Sequence, residues 1–415
     1  MFSRRARHFE GSINTLYRAR DEMRERGETF NDLISGNVHL GGIGYPQPIL
    51  ESALRVGGQQ ANIYQPDPKG QRVAREAISR EYAEAGIAIP EEQIVLTPGS
   101  SVAYSYAFSI FADVGDEVLA PIPTYPLFEG IAILLGVRMV PYPLDTTRGW
   151  AIDLDRLKTS ITPRTRAISL ISPHNPTGAI ADIDTMAGLA QIATQHQLPI
   201  IADEVFGSFL FDRESLPRPA ATDAPLVLTL NGLSKRLALP GLKIGWIAVS
   251  GDAAKVRRTL SALEAISDTF LPVNEAAQFS LPILLREGRE FEMEYQRAIR
   301  ERRDMAVEIL SQNRRISFVP PQGGFYLTFR VDAPAVDEEK VALDLLKREQ
   351  ILLHPGFFYD LPPSHFVVSF TSEPTRLQDG FTRLSRYFSE GDFSSASLPT
   401  GDRGDKRKEE ITLRS

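Results

Sequence analysis

Six short apolar runs, each separated from the next by a stretch long enough for a helix, constrain the fold more than any other feature of this chain. They are Ile94-Val95-Leu96-Thr97, Glu117-Val118-Leu119-Ala120, Ala167-Ile168-Ser169-Leu170-Ile171, Ile200-Ile201-Ala202, Leu226-Val227-Leu228-Thr229-Leu230 and Trp246-Ile247-Ala248-Val249. A strand of nearly continuous apolar character is covered on both faces. In a strand–helix alternation this means an α/β fold with a mostly parallel sheet between two layers of helices. The run ending at Thr97 meets Pro98-Gly99, and a helical pattern follows through Phe111. After Ile171, the residues Ile183, Met186, Leu189 and Ala193 recur at helical spacing and predict a packed face.

At 415 residues the chain exceeds one average domain, so a larger and a smaller lobe are expected. Residues 1–45 read as an N-terminal arm and part of the small lobe. Arg18 to Arg26 is helix-compatible, and Gly36, Gly41, Gly42, Gly44, Pro46 and Pro48 interrupt regular structure beyond it. Residues 46–285 carry the strand–helix alternation. Residues 286–390 change texture. Ile316 to Val319 and Phe325 to Phe329 flank a Pro-Pro-Gln-Gly-Gly turn, Glu338 to Arg348 is amphipathic, and Ile351 to Leu353 and Phe366 to Phe370 read as strands, which describes a smaller α+β lobe. Residues 391–415 are polar and dense in mixed charge, and are expected to be disordered.

Composition narrows the function. The net charge of −7 argues against nucleic acid as a main partner. With no cysteine, disulfides, thiolate metal sites and a cysteine nucleophile are excluded. The six histidines fall in no ligand spacing, so no metal site is expected. No apolar run is long enough for a bilayer, and the basic N-terminus is not followed by an apolar segment of the secretory kind. A cytoplasmic protein handling small molecules, without a membrane partner, is the expectation.

Ligands of an open α/β sheet bind beyond the carboxyl ends of its strands. Candidate polar residues cluster at such ends here. Gly99-Ser100-Ser101 follows one strand and opens a helix, where backbone N–H groups form an anion site. His174-Asn175-Pro176-Thr177-Gly178 follows another, Asp203-Glu204 a third, and Ser234-Lys235 a fourth, with Lys243 behind. Singly, each has an ordinary explanation: a turn, a helix cap or a solvated lysine. In this order, with Tyr64, Pro68-Lys69-Gly70, Pro123-Thr124-Tyr125-Pro126 and Gly323-Gly324-Phe325-Tyr326, the chain resembles the class I/II aminotransferases, fold-type I pyridoxal-phosphate enzymes related to aspartate aminotransferase. The resemblance covers roughly residues 30 to 385.

The resemblance implies that pyridoxal 5'-phosphate is the cofactor and that Lys235 joins it as a Schiff base and then shuttles the substrate proton. It implies Asp203 opposite the pyridinium nitrogen, Asn175 toward the phenolic oxygen and Tyr125 stacked on the ring. Ser100, Ser101, Ser234 and Lys243 would hold the phosphate. Tyr64 would reach the phosphate of a neighbouring subunit in a homodimer, and Gly36 would meet the substrate through its backbone. The expected partners are an amino donor and an oxo-acid acceptor. His174 and His354 are read as structural or polar-network histidines.

Three departures from the family pattern bear on activity. Lys243 stands eight residues after Lys235, where the family has arginine, which keeps charge but loses the bidentate fork. Phe206 replaces a tyrosine three residues after Asp203. Val367 replaces the arginine that clamps the substrate carboxylate, leaving Arg330 or Arg376 as candidate substitutes, or a substrate without that carboxylate. Val367 therefore keeps open an alternative in which the same cofactor serves a lyase, cyclase or decarboxylase. A regulatory module without catalysis is disfavoured by the retained lysine, aspartate and asparagine and by the lack of a basic DNA-binding element.

Overall fold

The computed structural model describes residues 1–9, 14–125, 127–333 and 336–391. Pro126 and nearly all of the polar tail, 392–415, lie outside them. The six apolar runs become strands of one eight-stranded sheet: β1 Ile94–Thr97, β2 Glu117–Ile122, β3 Arg138–Asp145, β4 Ala151–Ile152, β5 Thr165–Ile171, β6 Ile200–Asp203, β7 Leu226–Gly232 and β8 Gly245–Gly251. The spatial order is β1-β8-β7-β6-β5-β2-β3-β4. Strands β3, β2, β5, β6 and β7 are mutually parallel.

Strand β8 is antiparallel to both β7 and β1. The link from β7 to β8 holds only a four-residue helix, Leu233–Arg236, and a short 3-10 turn, Pro240–Leu242. A parallel return requires a longer crossover, so the chain folds straight back. Strand β3 was not evident in the sequence. Its Pro141 and Pro143 remove ladder donors, and it lies next to the edge, where prolines are tolerated.

Helices cover the sheet as the periodicity predicts, with one exception. In Ile183–His196, Met186, Leu189 and Ala193 are buried, but Ile183 is 73% exposed. It is the first helical residue and sits at the rim of a surface groove rather than against the sheet.

A second sheet gathers β9 Ile316–Phe318, β10 Tyr326–Val331, β11 His354–Pro355 and β12 His365–Ser369 in the antiparallel order β9-β10-β12-β11. The helices Arg289–Ser311 and Pro374–Glu390 accompany it. The expected strand at Ile351 divides its pairing. Ile351–Leu352 pairs in parallel with Asn31–Asp32, and His354–Pro355 pairs with β12. The first pairing draws the N-terminal segment and its helix, Thr15–Glu25, against the second sheet.

Candidate active site

Strands β1, β2, β5, β6 and β7 present their carboxyl ends on one side of the large sheet, and the reversed β8 begins there. Register places Thr97, Gly245 and Gly232 on one rung and Ile171, Asp203 and Leu230 on another. The first rung needs its glycines. A Cβ on Gly245 would stand 2.9 Å from the Gly99 backbone, and one on Gly232 would stand 2.8 Å from the Ile244 carbonyl. The Leu233 N–H donates to that carbonyl at 3.0 Å. Three strand ends therefore deliver Gly99-Ser100-Ser101, Lys243 and Ser234-Lys235 side by side. Gly99 adopts φ 98°, and no side chain caps the helix Ser100–Phe111 behind it. Its first-turn N–H groups are thus available to an anion, with the Ser100 and Ser101 hydroxyls beside them.

Lys235 is half-buried, and burial draws its ammonium down to about 8. Its amine stands 5.8 Å from the Phe206 ring centre and 5.7 Å from that of Phe325. The Gly36 backbone closes on it, since a Cβ there would lie 3.1 Å from Nζ and 2.7 Å from the Tyr326 hydroxyl. Phe206, buried, also packs edge-on against Phe325 and Tyr326, so the side chain lacking the family hydroxyl faces the lysine.

Asp203 is buried at the end of β6. Burial pushes its carboxyl up to about 6, against hydrogen bonds donated by the Val205 N–H and the Tyr104 hydroxyl, both at 3.0 Å. Glu204 instead accepts from Arg218 Nε at 2.7 Å, a separate structural pair. The Asn175 amide keeps a buried oxygen that meets no hydrogen-bond partner among the described residues. Neighbouring His174 meets Thr177 Oγ1 at 2.9 Å and is held neutral by burial, near 3, in keeping with a structural role. Tyr125 is partly buried, and the adjacent Thr124 N–H donates to the Tyr359 carbonyl at 3.0 Å, tying this loop to the smaller sheet. Lys243 is exposed at φ 53°. Tyr64 stands apart, 79% exposed, beside the similarly exposed Ile63.

Val367 lies in β12 on a rung between Thr328 of β10 and His354 of β11. The Thr328 hydroxyl donates to the Pro176 carbonyl at 3.0 Å, so this rung faces the Asn175 turn. The position is buried and apolar. Arg330 does not substitute for the missing arginine. It lies four residues along β10 from Tyr326, about 13 Å away, is exposed and pairs with Asp332. Arg376 is exposed in the first turn of Pro374–Glu390.

Residues 32–384 match the family model described as aminotransferase class I and II. The chain belongs to the class I and II aminotransferases. This aminotransferase is 31% identical over 377 residues to the glutamate-pyruvate aminotransferase AlaA of Escherichia coli K12, covering 88% of the chain and 92% of that protein. It is 32% identical over 311 residues to the alanine aminotransferase of Mycobacterium tuberculosis, covering 72% of each. Among solved structures, the alanine aminotransferase of Pyrococcus furiosus aligns with TM-score 0.87 at 26% identity, over 94% of this chain and all of that one. The aminotransferase is a fold-type I enzyme dependent on pyridoxal phosphate, and nothing in these likenesses favours the lyase alternative.

The residues present fit that cofactor. Among the described residues, a buried carboxylate without a cationic partner, a buried amide oxygen without a hydrogen bond, an uncapped helix start flanked by hydroxyls and a desolvated amine converge at one sheet end. Sequence reasoning missed Tyr104, Tyr17, Tyr326 and Tyr359 as neighbours of the site. Tyr326 appeared in the sequence only as the end of the Gly-Gly-Phe-Tyr segment, and Tyr104 left a local trace one helical turn after Ser100.

Proposed function

We propose that the enzyme moves an amino group between an amino acid and a 2-oxo acid, with Lys235 as the residue that holds the cofactor covalently. The names of the relatives support glutamate or alanine as donor and pyruvate as acceptor. The observation that carries the reading is the half-buried Lys235 amine, lowered to about 8 beside the Gly36 backbone. An amine near 8 is neutral in roughly a fifth of molecules at physiological pH, far more than an ordinary lysine, and that fraction can act as nucleophile and base.

When bound, pyridoxal phosphate supplies an electron sink for negative charge developing at the substrate carbon. Asp203, ionised beside the ring nitrogen, would keep that nitrogen protonated. Asn175 would donate an amide N–H to the ring oxygen, and Tyr125 would cover one ring face. The first-turn N–H groups at Ser100 and Ser101, the Ser234 hydroxyl and the Lys243 ammonium would hold the phosphate. Lys235 Nζ, once freed by the incoming amine, would take the proton from the substrate Cα and hold it for delivery to the carbon that receives the amino group, since returning it to Cα would undo the transfer. Gly36 would let substrate approach without a side chain in the way.

The exposed Tyr64 and Ile63 support a homodimer in which Tyr64 completes the partner subunit's phosphate site. Sedimentation of wild type and of Tyr64→Phe, with cofactor affinity measured on both, tests that part. The cytoplasmic location expected from the sequence is likewise proposed, and cell fractionation tests it. The central test is chemical. Borohydride reduction of the loaded enzyme followed by peptide mapping should place the cofactor on Lys235, and a label elsewhere, or none, would overturn the assignment.

A further inference from the structure

The place left by the missing arginine is not empty of polar chemistry. Directly across the β11–β12 ladder from Val367 is His354. Its Nε2 lies 2.8 Å from the Tyr17 hydroxyl and its Nδ1 lies 2.9 Å from the Tyr359 hydroxyl. Burial holds it neutral, near 3, with the Arg20 charge adding to the effect. A neutral imidazole donates through one nitrogen and accepts through the other. Whichever tautomer is present, one tyrosine hydroxyl hydrogen is left over as a donor.

This chain of hydrogen bonds spans separate parts of the molecule. Tyr17 comes from the helix Thr15–Glu25, His354 from β11, and Tyr359 from the segment whose carbonyl accepts the Thr124 N–H beside Tyr125. It fixes the N-terminal helix against the wall that Val367 leaves apolar. One turn along that helix from Tyr17 is Arg20, whose guanidinium carbon lies 4.6 Å from the Tyr17 ring centre. The Arg20 side chain is only 12% exposed, yet its one anionic hydrogen-bond partner among the described residues is the adjacent Asp21, which is 37% exposed. A largely desolvated guanidinium with so weak a counter-ion is poised for a second anion. The other nearby charge, Asp32, is already engaged. It accepts from the Ile34 and Ser35 N–H groups and faces Arg24 at 3.9 Å.

We propose that recognition of the substrate carboxylate has moved from β12 to the N-terminal helix, with Arg20 as the anion-binding residue and His354 as the positioning residue that sets the helix in place. The inference rests on the aminotransferase reading and adds a substrate class to it: α-amino carboxylates, read by a guanidinium other than the family's own. Val367 then forms an apolar wall and not the mark of a carboxylate-free substrate.

The test uses cofactor-loaded wild type, Arg20→Gln, His354→Phe, His354→Gln and the double variant Arg20→Gln/Val367→Arg. Two readouts are taken: calorimetric binding of the unreactive dicarboxylate maleate, and single-turnover spectra with L-alanine and with ethylamine. Arg20→Gln should weaken maleate binding on the order of 10- to 100-fold. It should raise the half-saturation for L-alanine similarly while leaving the ethylamine rate unchanged. Val367→Arg should restore much of the loss. His354→Phe should weaken maleate binding several-fold, with His354→Gln, which keeps hydrogen bonds, closer to wild type. Maleate binding unchanged in Arg20→Gln would overturn the proposal. So would equal losses with L-alanine and ethylamine, which would mark Arg20 as structural. If wild type gives no spectral change with any amino donor, the underlying aminotransferase reading fails instead.

Discussion

Gly36 and Lys235 come from segments nearly two hundred residues apart, yet a single methyl group on the glycine would stand 3.1 Å from the lysine amine and 2.7 Å from the Tyr326 hydroxyl. The lysine can move aside, whereas the tyrosine ring is packed against Phe206. Gly36→Ala should therefore keep the fold and the cofactor while narrowing the space for substrate. We expect kcat/KM to fall roughly 10-fold or more, about 1.4 kcal/mol of transition-state stabilisation, with a modest drop in melting temperature from the Tyr326 contact. Steady-state kinetics alongside a thermal melt checks this.

Asp203 carries a cost that the cofactor should relieve. Its carboxyl ionises near 6 in the fold against 3.8 as the ordinary value. Between these values the folded state holds the extra proton, so the stability of the cofactor-free protein falls as pH rises through that window. At neutral pH the ionised, buried side chain costs on the order of 3 kcal/mol. Asp203→Asn should stabilise the cofactor-free protein at pH 7 by an amount approaching that figure, and by little at pH 3.5. Cofactor affinity should fall. Urea titrations at the two pH values decide the matter, and equal effects at both would contradict it.

Phe206 faces Lys235 with no hydroxyl of its own, where the family resemblance implies a tyrosine. Phe206→Tyr would add a donor toward the ring oxygen of the cofactor and stabilise its anionic form. The visible absorbance of the loaded enzyme should then titrate at lower pH than in wild type. A spectrophotometric pH titration that shows no shift, or a shift upward, would count against this placement of Phe206.

Gly245 is where β8 begins and where the Gly99 turn must pass. A Cβ would lie 2.9 Å from the Gly99 backbone and 3.0 Å from the Asn231 carbonyl, neither of which can rotate away. Gly245→Ala should cost about 1–3 kcal/mol of stability. It should also displace the Ser100 helix start, so cofactor affinity should drop with the melting temperature. Gly241→Ala is the control, since its added methyl meets open space.

The sheet and the polar cluster at its edge were legible because their signals are local. Apolar runs such as Ala167 to Ile171 state their own burial, and a lysine or aspartate following such a run is placed at a strand end by chain continuity alone. Strand β3 was hidden because Pro141 and Pro143 weaken the local signature, and the reversal of β8 because direction is a property of the connection. The exposure of Ile183 could not be read either, since helical spacing identifies a face but not where the sheet beneath it stops.

From sequence alone came the fold class, the family, the cofactor and the departures at Lys243, Phe206 and Val367, all of which follow from residue types in order along the chain. Tertiary structure alone decided that Val367 sits between Thr328 and His354, that Tyr17 reaches His354 across more than three hundred residues, and that Arg20 lies over the Tyr17 ring while Arg330 is exposed and paired with Asp332. Cross-strand register and helix docking are set by packing between distant segments, and no local pattern of side chains encodes which distant partner a residue will meet.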